Sequence, residues 1–144
     1  MRSKFESSFA AWMDKEGIKY SYEPKKPTLW WQEKIHGAYC TNCGTVSYIF
    51  KERLYIPDFV IRKTIIETKG KFTSRDRKKM LSICNTYDKR FGKGRYRIVL
   101  VFQYDNWLTT KHKSRYSDWC DKYGIEYYIA KEPKKVLKLL RSIK

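Results

Sequence analysis

The stretch RLYIPDFVIRKTIIETKGKF at residues 53–72 contains two β-rich apolar runs, broken in the middle by Arg62 and Lys63, and charged side chains sit inside both. Asp58 interrupts its first run, and Glu67 and Lys69 interrupt its second. If residues 56–61 and 64–69 form a hairpin, a symmetric loop centred between Arg62 and Lys63 pairs positions whose numbers total 125. Asp58 then faces Glu67, with Cβ atoms about 4.5–5.5 Å apart, and Lys69 projects from the same face. Arg-Lys lacks the Asn-Gly chemistry of a two-residue turn, so a four-residue loop or a bulge is expected there; a bulge would shift the register. Facing carboxylates repel, and burying them is costly without compensation. A hard divalent cation removes that cost. Oxygen ligands suit Mg²⁺ (or Mn²⁺), one or two ions, with water and substrate phosphate completing the shell. Such an ion can generate a hydroxide nucleophile and neutralise charge on a phosphodiester. Lys69 would hold the attacking water or balance the developing charge. The same three residues also fit an ordinary cross-strand salt-bridge cluster.

These groups must be positioned by the elements around them. Ser3 opens a helix with Phe5, Phe9, Trp12 and Met13 on one stripe and Gly17 as its stop. IKYSYE alternates like a strand, Pro24 and Pro27 bracket a break, and Thr28 to Phe50 reads as one or two strands around CTNCG. Ser74 is expected to cap a helix with Met80, Cys84, Tyr87 and Phe91 on its stripe, ended near Gly92 and Gly94. YRIVLVFQY is the most apolar strand and is expected to be covered on both faces. Ser114 is expected to start a helix bearing Tyr116, Trp119, Cys120 and Tyr123, closed by Gly124. IEYYIA follows as a strand, and Pro133 begins a last helix through Val136, Leu137, Leu140 and Ile143. The pattern predicts a single α/β domain over residues 1–144, a mixed β-sheet flanked by helices. Residues 28–50 stand apart as an extended strand or knuckle segment.

The chain carries 32 Lys and Arg against 15 acids in 144 residues, a formal charge of +17. That imbalance favours a polyanionic partner, nucleic acid above all. Residues 62–79 hold eight Lys or Arg against two acids, with Lys71, Arg75, Arg77 and Lys78 nearest the charged strands. TTKHKSR offers Lys111, Lys113 and Arg115 ahead of a helix start. In the tail, Lys134, Lys135, Lys138 and Arg141 ring an amphipathic helix and fit either DNA contact or a solvated face. None of these implies base reading. No run is long enough to span a membrane and no secretory signal is evident. Four cysteines then argue for a reducing compartment, the cytoplasm by default.

The blocks PDF (57–59) and ETKG (67–70) have the form of the PD-(D/E)xK nuclease superfamily, with a restriction-endonuclease-like core. FESSFAAWMDKEGIKYSYE, YIPDFVI, IIETKGKFTSRDRKKM, RIVLVF and YSDWCDKYGIEY, in that order, resemble the phage endonuclease I family more specifically. The resemblance implies a metal-dependent, homodimeric enzyme resolving four-way (Holliday) junctions and other branched DNA inside a phage-infected host cell. It places the motif acids on Asp58 and Glu67, the motif lysine on Lys69, and a further essential acid on Glu6. Glu6 also has a local explanation, since Ser3-Lys4-Phe5-Glu6 reads as a capping box. The family exchanges its first helix between subunits, so the resemblance pairs Glu6 of one chain with Asp58, Glu67 and Lys69 of the other. The segment 28–50 departs from the family pattern.

YCTNCG has the form of half a zinc knuckle, with Cys40 and Cys43 as ligands. A Cys₄ site would need two protomers to pool these pairs across a twofold axis, with His36 a further donor; a plain hairpin turn with free thiols is the alternative. Cys84 and Cys120 fall on apolar helix stripes, as small buried hydrophobes do. His36 and His112 read as surface residues. Two rival functions stay open at this point: a sequence-specific or mismatch nicking or restriction endonuclease on the same core, and a non-enzymatic basic nucleic-acid-binding module with a zinc knuckle.

Overall fold

The computed structural model describes residues 3–26 and 29–144. Pro27 and Thr28, where the sequence suggests a break and a strand start, lie outside the described residues. The elements run α1 (Lys4–Lys15), β1 (Ser21–Tyr22), β2 (Leu29–Tyr39), β3 (Val46–Tyr55), β4 (Phe59–Ile61), β5 (Thr64–Lys69), α2 (Ser74–Phe91), β6 (Arg97–Phe102), α3 (Tyr116–Tyr123), β7 (Glu126–Ile129) and α4 (Pro133–Ser142). Five strands form one mixed sheet in the order β1-β4-β5-β6-β7. β1, β4 and β5 pair antiparallel, while β5, β6 and β7 run parallel. The α/β class and the flanking helices follow the sequence pattern.

Strand alternation divides the core into two layers. Val60, Ile65, Leu100 and Phe102 face Met80, Ile83 and Tyr87 of α2 and Tyr116, Trp119 and Cys120 of α3. Phe59, Ile61, Ile66, Val99 and Val101 face Phe9, Ala10 and Met13 of α1 and Val136, Leu139 and Leu140 of α4. On α4 it is Leu139, not Leu137, that sits in the core stripe with Val136 and Leu140. β6 is buried on both faces, as its unbroken apolar run requires.

The β4–β5 hairpin keeps the expected register. Phe59 pairs with Ile66, Val60 with Ile65 and Ile61 with Thr64. The connection is a correction: Arg62 and Lys63 close it as a tight two-residue turn, with Arg62 in the left-handed region at φ 54. That conformation costs a non-glycine residue roughly 1–2 kcal/mol. The buried strands on either side hold it in place. β4 is also shorter than the sequence suggests, beginning at Phe59 rather than Ile56. Pro57 has no N–H to give a ladder, and the Asp58 carboxylate bonds across to Thr68.

Helix starts shift by a residue or two from the expected positions. Thr73, not Ser74, is the N-cap of α2, because Thr73 and Asp76 form a reciprocal capping box. α3 begins at Tyr116 after Arg115, whose N–H donates to Asp118 Oδ2 at 2.7 Å, so Ser114 lies outside the helix. Ser3 caps α1, its Oγ accepting from Glu6 N at 3.1 Å.

β2 and β3 form a separate two-stranded antiparallel ribbon, with CTNCG at its turn. Leu29, Trp31 and Tyr55 at its base are buried in the α2 layer. Further out, Trp30, Tyr48, Phe50 and Leu54 are exposed. A three-residue ion-pair tether ties the ribbon to α2. Glu33 Oε2 accepts from Arg53 Nε at 2.9 Å and from Arg75 Nη2 at 3.0 Å, and Arg75 Nε reaches Oε1.

Candidate active site

The three charged residues of the hairpin lie on one face of the sheet, the α2 side, at the end remote from the Arg62 turn. Asp58 precedes β4, and Glu67 and Lys69 close β5. Glu67 is 2% exposed, and four groups surround its carboxylate. Tyr55 Oη donates to Oε2 at 2.8 Å, and Lys69 Nζ donates to Oε1 at 2.9 Å. Lys79 Nζ stands 4.0 Å from Oε1 and 5.1 Å from the centre of the Tyr55 ring. Asp58 is the fourth group. Thr68 N and Thr68 Oγ1 donate to Asp58 Oδ2 at 2.8 and 2.9 Å, while Oδ1 takes part in neither bond.

The electrostatics set the two acids apart. Burial first, then the charge of Glu67, pushes Asp58 up to about 7; Lys69 and the Thr68 bonds oppose this without cancelling it. Burial works against the Lys69 ammonium, yet Glu67 and Asp58 outweigh it and hold Lys69 above the usual lysine range. Tyr55 is held well above the tyrosine range by burial and by Glu67. Lys69 and, at longer range, Lys79 thus face the Glu67 carboxylate, with Asp58 held near 7 beside it.

That donor set fits a small hard cation. The ligating atoms would be carboxylate oxygens, Asp58 Oδ1 is uncommitted in the bonds above, and each Glu67 oxygen keeps a second lone pair beside its donor. Asp58 and Glu67 are the residues that would hold the ion. Among the described residues, no group of three or more His, Cys, Asp and Glu gathers in one place.

Glu6 lies in the other helix layer. It is 5% exposed on α1, and Tyr22 Oη donates to its Oε1 at 2.5 Å. Burial, the Glu6 bond and the charges of Glu6, Glu23 and Asp58 push Tyr22 up to about 12. One hydroxyl on the edge strand therefore senses both Glu6 and Asp58.

Two basic segments converge beside the pocket, joined where Phe72 N donates to Tyr116 Oη at 3.2 Å. Lys71, Lys78, Lys111 and Lys113 are exposed. Arg75 is committed to Glu33, Arg77 Nη1 donates to Phe72 O at 2.7 Å, and Arg115 Nη1 donates to Asp105 O at 2.7 Å. The Arg115 guanidinium also lies 4.1 Å from the Trp107 ring centre. Cys40 and Cys43 sit at the ribbon turn, far along the chain from the core positions of Cys84 and Cys120. His36 is cross-strand from Tyr48, their rings 5.2 Å apart.

Sequence reasoning did not single out Tyr55, Thr68, Lys79 or Tyr22. Tyr55 is one of twelve tyrosines, and Lys79 is one cation in a dense basic run. Neither carries a local signal; only the packing of β3 and α2 on β5 brings them to Glu67.

A sequence model of the phage endonuclease I family matches residues 41–139, which includes the hairpin with Asp58, Glu67 and Lys69. Endodeoxyribonuclease 1 of Enterobacteria phage T3 is 32% identical, over 93% of this chain and 79% of its own length. No helix among the described residues is long and apolar enough to cross a membrane. On the family match and on that relative, the chain belongs to the phage endonuclease I family.

Proposed function

We propose that this protein is a metal-dependent DNA endonuclease that acts as a homodimer on four-way junctions and other branched DNA, hydrolysing a phosphodiester in each of two strands. The observation that carries the reading is the placement of Asp58 beside Glu67 on one sheet face, with Lys69 bonded to Glu67 and Asp58 raised to about 7. Asp58 and Glu67 would hold Mg²⁺ or Mn²⁺, whose chemistry there is to polarise a water and offset phosphate charge. Tyr55 and Lys79 fix the Glu67 carboxylate, and Thr68 fixes Asp58. Lys69 places a positive charge beside the reacting oxygen. The net charge of +17 and the cationic segments at 71–78 and 111–115 supply phosphate contacts that position DNA without reading its bases.

A dimer suits a substrate with two equivalent strands, since paired sites can cut symmetrically. The ribbon supports this part of the reading. Its outer face exposes Trp30, Tyr48, Phe50 and Leu54, and Gln32, Lys34, His36 and Glu52 lie on that same face, Lys34 Nζ over the Tyr48 ring. With Lys34 balanced by Glu52, such a patch is one where two strongly basic chains could meet with little net repulsion. Glu6 would join the site from α1, either within one chain through Tyr22 or from a partner whose α1 is exchanged.

The test is cleavage of an end-labelled four-way junction beside a linear duplex with the same arms, with and without Mg²⁺. Junction-selective cuts that need Mg²⁺ and vanish in Glu67→Ala, while binding persists, are expected. Full activity of Glu67→Ala would remove the site. Equal cutting of the linear duplex at one sequence would instead favour a nicking or restriction enzyme on the same core.

A further inference from the structure

A second cationic site lies on the same sheet face, beyond the turn end of β4. A cleft of about 580 Å³ is lined by Ser21, Lys26, Val60, Arg62, Arg90, Phe91 and Tyr96, with no acid among them. None of Lys26, Arg62 and Arg90 is ion-paired with a described acid. Four other arginines are paired with acids: Arg53 and Arg75 share Glu33, Arg97 takes Glu126, and Arg141 takes Glu16. Arg77 and Arg115 instead donate to backbone carbonyls. Lys26, Arg62 and Arg90 come from three separate segments and converge on one concave surface.

The backbone gives an independent reason to single out Arg62. It occupies the first position of the two-residue turn at φ 54, where glycine or asparagine is the usual occupant. A long charged side chain held in a disfavoured conformation is the pattern seen where function opposes local stability.

We propose that Lys26, Arg62 and Arg90 form a secondary phosphate site, which holds a DNA backbone phosphate away from the one that is cut. This rests on the reading of the protein as a DNA enzyme and deepens it. Asp58 precedes β4 and Arg62 follows it in the turn, so the acidic pair and the cleft lie at opposite ends of this short strand. A DNA backbone passing along β4 meets both. Phe91 and Tyr96 wall the cleft with apolar surface, against which the Arg90 guanidinium packs 5.4 Å from the Phe91 ring centre.

The test is binding of a labelled four-way junction in metal-free buffer, across a salt series, by wild type, Arg62→Gly, Lys63→Ala, Arg90→Ala and the Arg62→Gly/Arg90→Ala double variant. Arg62→Gly and Lys63→Ala each remove one cation from the same turn, but only the first removes it from the cleft. Arg62→Gly should bind about tenfold more weakly, with a salt slope shallower by about 0.9. It should also melt at a higher temperature, because glycine relieves the turn. Lys63→Ala should stay within about twofold of wild type. The double variant should lose less than the product of the two single losses, as residues gripping one group do. Arg62→Gly binding no more weakly than Lys63→Ala, or melting lower than wild type, overturns the proposal. Because no metal is present, this result is independent of whether Glu67→Ala abolishes cutting.

Discussion

Replacing Asp58 with Asn should make the metal-free protein more stable at neutral pH while abolishing its cleavage. Burial and Glu67 raise Asp58 from an ordinary 3.8 to about 7, so the folded state holds the proton more tightly than the unfolded state. Below about pH 4 both states are protonated, and the aspartate imposes no penalty. Between pH 4 and 7 the unfolded chain ionises while the folded one resists, so stability falls as pH rises. Above about 7 the full penalty is present. A difference of that size corresponds to about 4 kcal/mol when fully expressed. Asp58 is only partly buried, so solvent screening reduces this to about 2 kcal/mol. Asn keeps an acceptor for Thr68 and carries no charge toward Glu67. Urea denaturation of wild type and Asp58→Asn in chelator, from pH 4.5 to 8, should show the variant's advantage growing from about 0.5 to about 2 kcal/mol. A constant difference across that range, or a variant less stable at pH 8, would refute the electrostatic account of the site.

Other perturbations follow from single contacts. Tyr55→Phe leaves the ring packing against Tyr87 in place but strips a buried acceptor of its donor. It should cost about 1–3 kcal/mol in urea denaturation, and an unchanged midpoint would remove Tyr55 from the site. Glu33→Gln releases Arg53 and Arg75 from the ribbon tether. As an exposed ion-pair cluster it should change stability by less than about 1 kcal/mol, yet tighten low-salt DNA binding measured by anisotropy; weaker binding would count against it. The Cys43 thiol is drawn down to about 7 by Thr45 and then Cys40, whereas burial pushes Cys84 up to about 11 and Cys120 to about 12. Peptide mapping after brief alkylation at pH 7.5 should find Cys43 labelled well before Cys84 or Cys120.

Much of this arrangement is legible along the chain because it depends on parity. Strand alternation alone puts Asp58, Glu67 and Lys69 on one face. The register that faces Asp58 toward Glu67 follows from any symmetric turn at Arg62 and Lys63. The two-residue closure was not legible, since local propensity disfavours arginine at φ 54 and only the buried flanking strands hold it there. Helix caps moved by one residue for a similar reason. Thr73 and Ser74 are both plausible caps, and Asp76 decides between them by spacing. Tyr55 and Lys79 were illegible because their role arises wholly from tertiary packing. The ribbon's extent was half visible: two strands around CTNCG could be read, but not that residues 53–55, the start of the 53–72 stretch, belong to the ribbon, with Tyr55 as its last residue.

The two acids are held in unequal ways, and this fixes where the pH dependence of metal binding should arise. Glu67 is gripped from β3 by Tyr55, from its own strand by Lys69 and from α2 by Lys79. Asp58 is held by Thr68 alone, through one oxygen. A cation entering between them meets a carboxylate already fixed in place and another that, at about 7, still carries a proton over much of the acidic range. Binding must then expel that proton below pH 7 and need not do so above it. Calorimetric titration with Mn²⁺ in buffers of different ionisation enthalpy measures the release directly. About one proton per site should leave at pH 6 and almost none at pH 8. Asp58→Asn should abolish the difference, whereas Lys79→Ala should leave it intact. Equal release at both pH values would mean that Asp58 is already ionised in the folded protein, and that the charge it shares with Glu67 is neutralised by the chain itself.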